Sequence, residues 1–229
     1  AYGLDHPQTA SALNGLAGLY YARERYADAE RTIRRALAIR EKVVGPDHPS
    51  VASALSNVAL LCKEQARYAE AEQLYKRALA IEEKALGPDH TEVAESLGNL
   101  GRLYNLLGRY AEAEPICVRS LAILEKAYGP DHLHLASSLV DLAVVHDALG
   151  RYAEAEPLYR RSLAIREKAY GPDHPDGASS LWSLALLAYE RGQYAEAESL
   201  GQRALAIFEK TYGPEHTSVA TTLTVLAEV

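Results

Sequence analysis

A tetrapeptide that recurs every 42 residues constrains this chain more than any other feature. Gly-Pro-Asp-His stands at 45–48, 87–90, 129–132 and 171–174, and the variants at 3–6 and 213–216 keep the same register. A fixed period of roughly 20 to 50 residues is typical of arrays in which similar units stack on their neighbours. The register therefore predicts five full repeats, 3–44, 45–86, 87–128, 129–170 and 171–212, and a partial sixth, 213–229.

A second block, Arg-Tyr-Ala-Glu-Ala-Glu, divides each repeat into two segments. It stands at 67–72, 109–114 and 151–156, and with one substitution at 25–30 and 193–198. Apolar residues recur at helical spacing on both sides of it, which predicts an amphipathic helix A before the block and a helix B after it. The stripe of helix A includes Leu55, Val58, Ala59, Cys62, Leu97, Leu100, Gly101 and Tyr104. The stripe of helix B includes Ala113, Ile116, Cys117, Ser120, Leu121 and Ile123.

Glycine and the Gly-Pro-Asp-His loop mark the helix ends. We expect helix A to end just before Gly108, Gly150 and Gly192, because glycine readily adopts the left-handed conformation. Glu24 and Ala66 stand at this position in the first two repeats, so those ends are less well specified. In the loop, Asp or His lies where a side chain can cap the next helix A, whose first turn accepts a proline.

Charged residues on helix B are interpreted as a solvated face. Glu30 with Arg34, Glu72 with Lys76, and Glu156 with Arg160 are i, i+4 pairs, each worth only a few tenths of a kcal/mol. Pro115 and Pro157 lie near the start of helix B, where at most one backbone hydrogen bond is lost. The helical assignment is therefore retained.

The repeat pattern resembles the tetratricopeptide repeat. The resemblance is carried by Leu139-Leu142-Ala143 in helix A, Gly150-Tyr152-Ala155 at the turn, and Ala78-Leu79 in helix B. The 42-residue period with its loop is similar to the kinesin light chain subclass, which is also widespread in bacterial multidomain proteins. Glu125 and Glu167 depart from the general repeat, which has a proline at the end of helix B. The resemblance implies one all-α domain over 1–229, a right-handed α-solenoid of about 11 helices whose A helices line a concave, peptide-holding groove.

The face of helix A opposite its apolar stripe supplies the candidate binding residues. In the first three repeats this face is mainly polar and includes small residues that let a ligand backbone approach. Its candidates are Asn14, Asn57, Leu60, Lys63, Asn99, Arg102 and Asn105. The family often uses an Asn at the matching positions 57 and 99 to hydrogen-bond a peptide backbone. Asp141 and Ser183 replace that Asn in repeats four and five, so an Asn-based clamp is confined to the N-terminal half.

The same face in repeats four and five is predicted to carry an apolar patch of Val140, Val144, Trp182, Leu186 and Tyr189. An exposed apolar cluster often marks an interaction site, and Trp and Tyr dominate binding energies. Trp182 has a second interpretation, in which it fills space between neighbouring A helices. The face as a whole carries two positive groups, Lys63 and Arg102, against five negative ones, so it is mildly acidic and favours neutral or basic apolar ligands. Its five negative groups are Glu64, Glu95, Asp141, Asp147 and Glu190.

Several classes of function are disfavoured by the sequence. A net charge of −7 argues against nucleic acid, and no apolar run approaches the roughly 18 residues of a membrane span. Cys62 and Cys117 lie at apolar helical positions of different repeats, which indicates buried thiols in a reducing compartment and hence a cytoplasmic protein. Equivalent histidines of successive repeats should be on the order of 10 to 20 Å apart, so a metal site is not expected, and His132 with His134 is a pair without further ligands. We expect no cofactor and no enzyme, because no phosphate-binding loop or catalytic constellation is present.

These features together predict a scaffold or adaptor that binds a protein or peptide. Two alternatives stay open, a regulatory or sensor arm of a larger bacterial enzyme or signalling protein, and an engineered repeat scaffold without a natural ligand. Ala1-Tyr2-Gly3 matches the end of a helix B, and Val229 falls inside a sixth helix A, so we expect a fragment of a longer protein. Val219, Leu223 and Leu226 should cover repeat five, and uncapped ends favour end-to-end self-association.

Overall fold

The computed structural model describes residues 6–228, and all regular structure in that range is α-helical. The A helices are α1 (Pro7–Tyr21), α3 (Pro49–Glu64), α5 (Thr91–Leu106), α7 (Leu135–Ala148), α9 (Pro175–Glu190) and α11 (Thr217–Glu228). The B helices are α2 (Tyr26–Val44), α4 (Tyr68–Leu86), α6 (Tyr110–Tyr128), α8 (Tyr152–Tyr170) and α10 (Tyr194–Tyr212). The described residues thus form eleven helices, which confirms the predicted all-α repeat architecture. Residues 3–5 of the first loop variant lie outside the described range, and none of the eleven helices is long and apolar enough to cross a membrane.

The helices belong to two compact units, Ala1–Gly108 and Arg109–Val229, which we call unit 1 and unit 2. In unit 1, α1 packs against α2, α3 against α2 and α4, and α5 against α4 and α3. In unit 2, each helix from α6 to α11 packs against the next along the chain. Helices A and B pair in antiparallel fashion. Within each unit, contacts are therefore mainly between sequence neighbours, as stacked repeats require.

The predicted apolar stripes form the core. Leu55, Val58, Ala59 and Cys62 are fully buried, and Leu100 is 3% exposed. The second alanine of the Arg-Tyr-Ala-Glu-Ala-Glu block is buried in every repeat, because only a small side chain lets helix B approach helix A this closely. These alanines are Ala29, Ala71, Ala113, Ala155 and Ala197.

The turn from helix A to helix B uses a left-handed residue in all five repeats. Gly108, Gly150 and Gly192 have φ angles of 69°, 70° and 71°. Glu24 and Ala66 adopt the same conformation, with φ of 57° and 58°, although they have a Cβ atom. The turn is thus imposed by the packing of the two helices, and these two residues bear a strain of about 1 kcal/mol each.

Histidine, rather than aspartate, caps five of the six A helices. His48 Nδ1 accepts a hydrogen bond from the backbone N–H of Ser50 at 3.2 Å, and His174 Nδ1 accepts one from Asp176 N–H at 3.3 Å. The same bond to the residue two positions on is made by His6, His90 and His216. His132 also accepts a hydrogen bond from His134 N–H, but this bond precedes α7, whose N-cap residue His134 makes no side-chain cap hydrogen bond. A ring nitrogen that accepts must carry no proton, so every cap requires an imidazole with an unprotonated Nδ1. The last residue of the loop is therefore a helix signal that a general preference for Asp or Ser would miss.

Helix α7 starts two residues later in its repeat than α3, α5, α9 and α11. Its first turn is tighter, with Leu135 N–H bonded to His132 C=O and Ala136 N–H bonded to Leu133 C=O, both at 3.0 Å. The ring of Tyr128 stacks on His132 and lies 4.9 Å from the ring of His134. The two histidines of the local His pair and Tyr128 therefore form one aromatic group.

The charges of helix B are more than a solvated face, which corrects the sequence interpretation. Glu30 does pair with Arg34, but it also accepts a hydrogen bond from Arg67 of the next repeat. That bond, with those from Arg34 and Gln65, holds the pKa of Glu30 at about 2 despite partial burial. In unit 2, Arg151 makes two hydrogen bonds of 2.7 and 2.8 Å to Glu114. The Arg and the second Glu of the block therefore join consecutive repeats.

Helix α11 covers part of repeat five. Val219 is 1% exposed and packs with Ile207 and Phe208. A Cβ at Gly201 would lie 2.8 Å from Cδ2 of Leu226, so the glycine makes room for that leucine. Leu223 is 47% exposed, and its predicted burial is wrong because it lies on the outer side of the helix.

We predict that Ala66→Gly stabilises the protein by about 0.5 to 1 kcal/mol, because glycine adopts the left-handed turn without strain. The matched control is Ala38→Gly at an exposed position in the middle of α2, which should cost about 1 kcal/mol. Urea unfolding measures both. A loss of stability in Ala66→Gly would show that this residue is not strained.

We predict that His48→Ala lowers the free energy of unfolding by about 1 kcal/mol, since the N–H of Ser50 loses its acceptor. His48→Asp should retain the wild-type stability, because a carboxylate can cap the same N–H. Urea unfolding measures both variants, and equal stability of the Ala and Asp variants would contradict the capping role.

Candidate functional site

The A face of unit 1 is formed by Asn14 of α1, by Asn57, Leu60 and Lys63 of α3, and by Asn99, Arg102 and Asn105 of α5. Asn57 Nδ2 donates a hydrogen bond to Asn14 Oδ1 at 3.2 Å across two repeats. Asn57 and Asn99 occupy equivalent positions of their repeats. Asn14 stands one position earlier in repeat one than Asn57 does in repeat two, so the bond joins two residues that are not equivalent. The bond uses one N–H of the Asn57 side chain and the side-chain oxygen of Asn14. The side-chain oxygen of Asn57 and the side-chain NH₂ of Asn14 can therefore still hydrogen-bond to a ligand.

A cavity of about 220 Å³ opens beside this pair of asparagines. It lies between α1 and α3 over α2, and its lining residues are Asn14, Ala17, Gly18, Tyr21, Ile33, Asn57, Leu60 and Leu61. Most of these side chains are apolar. Drug-sized ligands occupy pockets of roughly 300 to 1,000 Å³, so this cavity fits a single apolar side chain.

Two glycines on α1 keep the space above this face open. A Cβ added at Gly15 or Gly18 would meet no atom within 4 Å. Gly18 lines the cavity, and Gly15 does not. A ligand backbone can therefore approach α1 closely, as the small residues of the sequence suggested.

Two further candidates in unit 1, Arg102 and Lys63, have polar partners on their own helices. Arg102 donates a hydrogen bond of 2.7 Å to Asn99 Oδ1 on the same helix. Lys63 Nζ lies 3.1 Å from Glu64 Oε1, which offsets its charge. The positive charge of Lys63, which lies close in sequence to the cavity residues Leu60 and Leu61, is thus paired.

The candidates of unit 2 are more buried than the sequence suggested. Val140, Trp182, Leu186 and Tyr189 are half-buried, and Val144 is 37% exposed. Trp182 packs against the core cluster that contains Leu181, Ile207 and Phe208. Val140 likewise packs against a cluster that contains Ala143 and Tyr159. This packing agrees with the interpretation of Trp182 as a space-filling residue.

The acidic character of the A helices belongs to unit 2. Both positive groups of the face, Lys63 and Arg102, lie in unit 1, whereas Asp141, Asp147 and Glu190 lie in unit 2. Burial raises the pKa of Asp147, and the negative charge of Glu190 raises it further. Two acidic groups therefore lie near enough to repel each other on this side of unit 2.

One group of possible metal ligands occurs among the described residues. Ligand atoms of Glu30, Cys62 and Glu70 lie within 4.8 Å of one another. Arg34 and Arg67 bond to both carboxylates, and burial raises the pKa of the Cys62 thiol. Two guanidinium groups beside a protonated thiol do not suit a cation. The group is better explained as an ion-pair network that joins repeats one and two.

Sequence reasoning missed Tyr21, Ile33 and Leu61 as parts of the candidate site. Ile33 belongs to a B helix and Leu61 is buried, so neither lies on the face of helix A that is opposite its apolar stripe. Tyr21 is 37% exposed at the end of α1, and burial followed by the charge of Glu64 raises its pKa. Only the contact of α1 with α3 shows that these residues line one space.

Comparison with known proteins supports the same fold. The sequence profile of the Tetratricopeptide repeat family matches residues 8–84, 50–116, 92–168, 148–210 and 178–229. These overlapping matches cover nearly the whole chain. No curated protein sequence matches it. Proteins of this family are in general non-catalytic and interact with other proteins.

Solved structures contain the same repeats. The nearly identical TPR-like repeats of a Podosopora anserina protein, described as kinesin light chain, are 28% identical, with a TM-score of 0.75 over 90% of this chain and 97% of that chain. BtubC (BKLC) from P. vanneervenii is 22% identical, with a TM-score of 0.78 over 90% and 82% of the two chains. A Rap protein complexed with competence and sporulation factor is 15% identical, with a TM-score of 0.75 over 94% and 61%. The last two show likeness of fold alone, and the profile and the first structure together show that this chain belongs to the tetratricopeptide repeat family, with repeats of the kinesin light chain type.

Proposed function

We propose that this protein is a scaffold that binds an extended peptide or protein segment on the A face of unit 1. One apolar side chain of the ligand enters the cavity between α1 and α3, and its backbone bonds to Asn14 and Asn57. The observation that carries the proposal is the cavity itself, since it combines an apolar lining with two amide groups at its edge. An adaptor and the regulatory arm of a larger protein would both use such a site, because both act by holding a partner.

The charges of the A helices favour an uncharged or basic ligand. Lys63 is offset by Glu64 near the cavity, so this subsite supplies no net attraction for an acidic residue. Asp141, Asp147 and Glu190 make unit 2 acidic, and they would repel a ligand of like charge. Exposed charges of this kind tune association and selectivity and are screened by salt. Val144, Leu186 and Tyr189 are proposed as further apolar contacts in unit 2.

A random peptide library displayed on phage tests the cavity when it is selected on the wild-type protein. We expect selected peptides to share one apolar residue and to be neutral or basic. Gly18→Leu should weaken their binding by about tenfold or more, because the new side chain occupies the cavity and burial of an apolar side chain is worth about 1.5 to 3 kcal/mol. Fluorescence polarisation with the selected peptides measures this change.

Gly15→Leu is the matched control for this experiment. It makes the same substitution on the same helix, also in open space, but outside the cavity. We expect it to bind the selected peptides with wild-type affinity, and circular dichroism should show both variants folded. Wild-type affinity in Gly18→Leu, or an equal loss in both variants, would refute the cavity as the binding site.

We predict that Trp182→Ala lowers the melting temperature by about 5 to 10 °C, since truncation of a packed aromatic side chain costs about 3 to 5 kcal/mol in a core and less at a half-buried position. Val144→Ala is the comparison, because it truncates a more exposed residue of the same patch and should change the melting temperature little. An unchanged melting temperature in Trp182→Ala, with weaker binding of the selected peptides, would restore Trp182 as a ligand anchor.

A further inference from the structure

The core position near the end of helix B differs in chemistry between repeats. Arg40, Glu82, Leu124, Arg166 and Phe208 occupy it, at intervals of 42 residues. Glu82 is only 4% exposed. Carboxylates are almost never buried to this extent unless they are paired. A buried carboxylate at this position is therefore exceptional among the repeats.

The two arginine repeats show what a polar residue does here. Arg40 Nη1 donates to the C=O of Ser50 at 2.8 Å. Arg166 Nη1 donates to the C=O of Asp176 at 3.0 Å and to Ser180 Oγ at 2.9 Å. Ser50 and Asp176 are both the second residue of the following A helix. A donor at this position thus joins the end of helix B to the start of the next helix A.

Glu82 has a carboxyl group at this position, where arginine has a positively charged donor. It hydrogen-bonds with Ser96, the equivalent of Ser180, while its Oε2 is buried and has no hydrogen-bond partner among residues 6–228. Helix α4 packs against α3 and α5, and the charged groups that act on Glu82 from these helices are Glu92 and Glu95 of α5. Both are negative. The carboxylate of an ionised Glu82 is therefore repelled by these two charges, and its Oε2 has no hydrogen-bond donor among the described residues. A protonated carboxyl has an O–H that can donate a hydrogen bond, as arginine does at this position.

We propose that Glu82 is a proton-dependent lock between α4 and α5, which holds the helices together when the carboxyl is protonated and loosens them when it ionises. Burial raises the pKa of Glu82 to about 7, the hydrogen bond with Ser96 opposes this change, and Glu92 and Glu95 add to it. The folded protein thus binds this proton more tightly than the unfolded chain does, for which the ordinary value is 4.5. The stabilising contribution is complete at acidic pH, falls as the pH rises from about 4.5 through about 7, and is absent above that range.

The lock acts on a helix that carries part of the A face of unit 1. Asn99, Arg102 and Asn105 all lie on α5. Loosening of α5 at alkaline pH changes the position of these residues relative to α3. The lock itself depends only on the contact of α4 with α5, whether or not a ligand binds to this face.

Glu82→Gln tests the lock, because glutamine has nearly the same shape and carries N–H donors at every pH. Melting temperatures are measured by circular dichroism at about pH 5.5 and about pH 8. We expect Glu82→Gln to melt about 3 to 6 °C above wild type at the higher pH and close to wild type at the lower pH. Hydrogen exchange gives a local readout, in which protection factors at the start of α5 fall at the higher pH in wild type and stay constant in Glu82→Gln.

Glu209→Gln is the matched control, since it makes the same change at an exposed site. Glu209 directly follows Phe208, and Phe208 is the residue of repeat five that is equivalent to Glu82. It should follow wild type at both pH values. Any effect of pH on the rest of the chain is common to all these proteins and cancels in the comparison. Glu82→Arg, which introduces the residue of repeats one and four, should also melt above wild type at the higher pH. The lock is refuted if Glu82→Gln loses as much stability as wild type between the two pH values, or if it is equally destabilised at both.

Discussion

The close contact between helix A and helix B within each repeat is the constraint on which the rest of this protein depends. A buried alanine in the second helix allows the approach in every repeat, as Ala71 does in repeat two. Once the helices lie this close, the chain between them has room only for a left-handed turn. This explains why Glu24 and Ala66 take the conformation that Gly108 takes elsewhere. Backbone strain at two positions is thus offset by the burial of both helix faces.

Polar groups at fixed positions add to the apolar packing between repeats, such as that of Tyr159 with Leu184 and Leu187. The guanidinium of Arg67 reaches back to Glu30, and Arg151 reaches back to Glu114. These bonds use the residues of the Arg-Tyr-Ala-Glu-Ala-Glu block, so the same segment that starts helix B also positions the preceding repeat. Apolar burial supplies most of the stability of such arrays, and directional bonds of this kind set how one repeat is placed on the next.

Departures from the repeat pattern give the chain its individual properties. Glu82 places an acid where other repeats have Arg, Leu or Phe, and Trp182 places a large aromatic side chain where repeat three has Gly98. A repeat array tolerates such exceptions because each substitution affects mainly the neighbouring repeats, which are the ones it contacts. The cavity of unit 1 arises in the same way. Ala17 and Gly18 of α1 are small, and the space they leave beside Leu60 is not filled by another side chain.

The sequence by itself determined the number of repeats, the two helices in each, the buried stripe and the positions of the turns. It could do so because these depend on local periodicity and on residues with special backbone geometry, such as Gly150. It also placed Asn14, Asn57 and Leu60 on one face of their helices. Only the tertiary structure decided that Asn57 bonds to Asn14, that Tyr21 and Ile33 join them around one cavity, and that Trp182 packs against the core of unit 2. The physical reason is that a periodic pattern gives the direction of each side chain from its own helix, whereas cavities, buried acids and hydrogen bonds between repeats depend on the distance and rotation between helices.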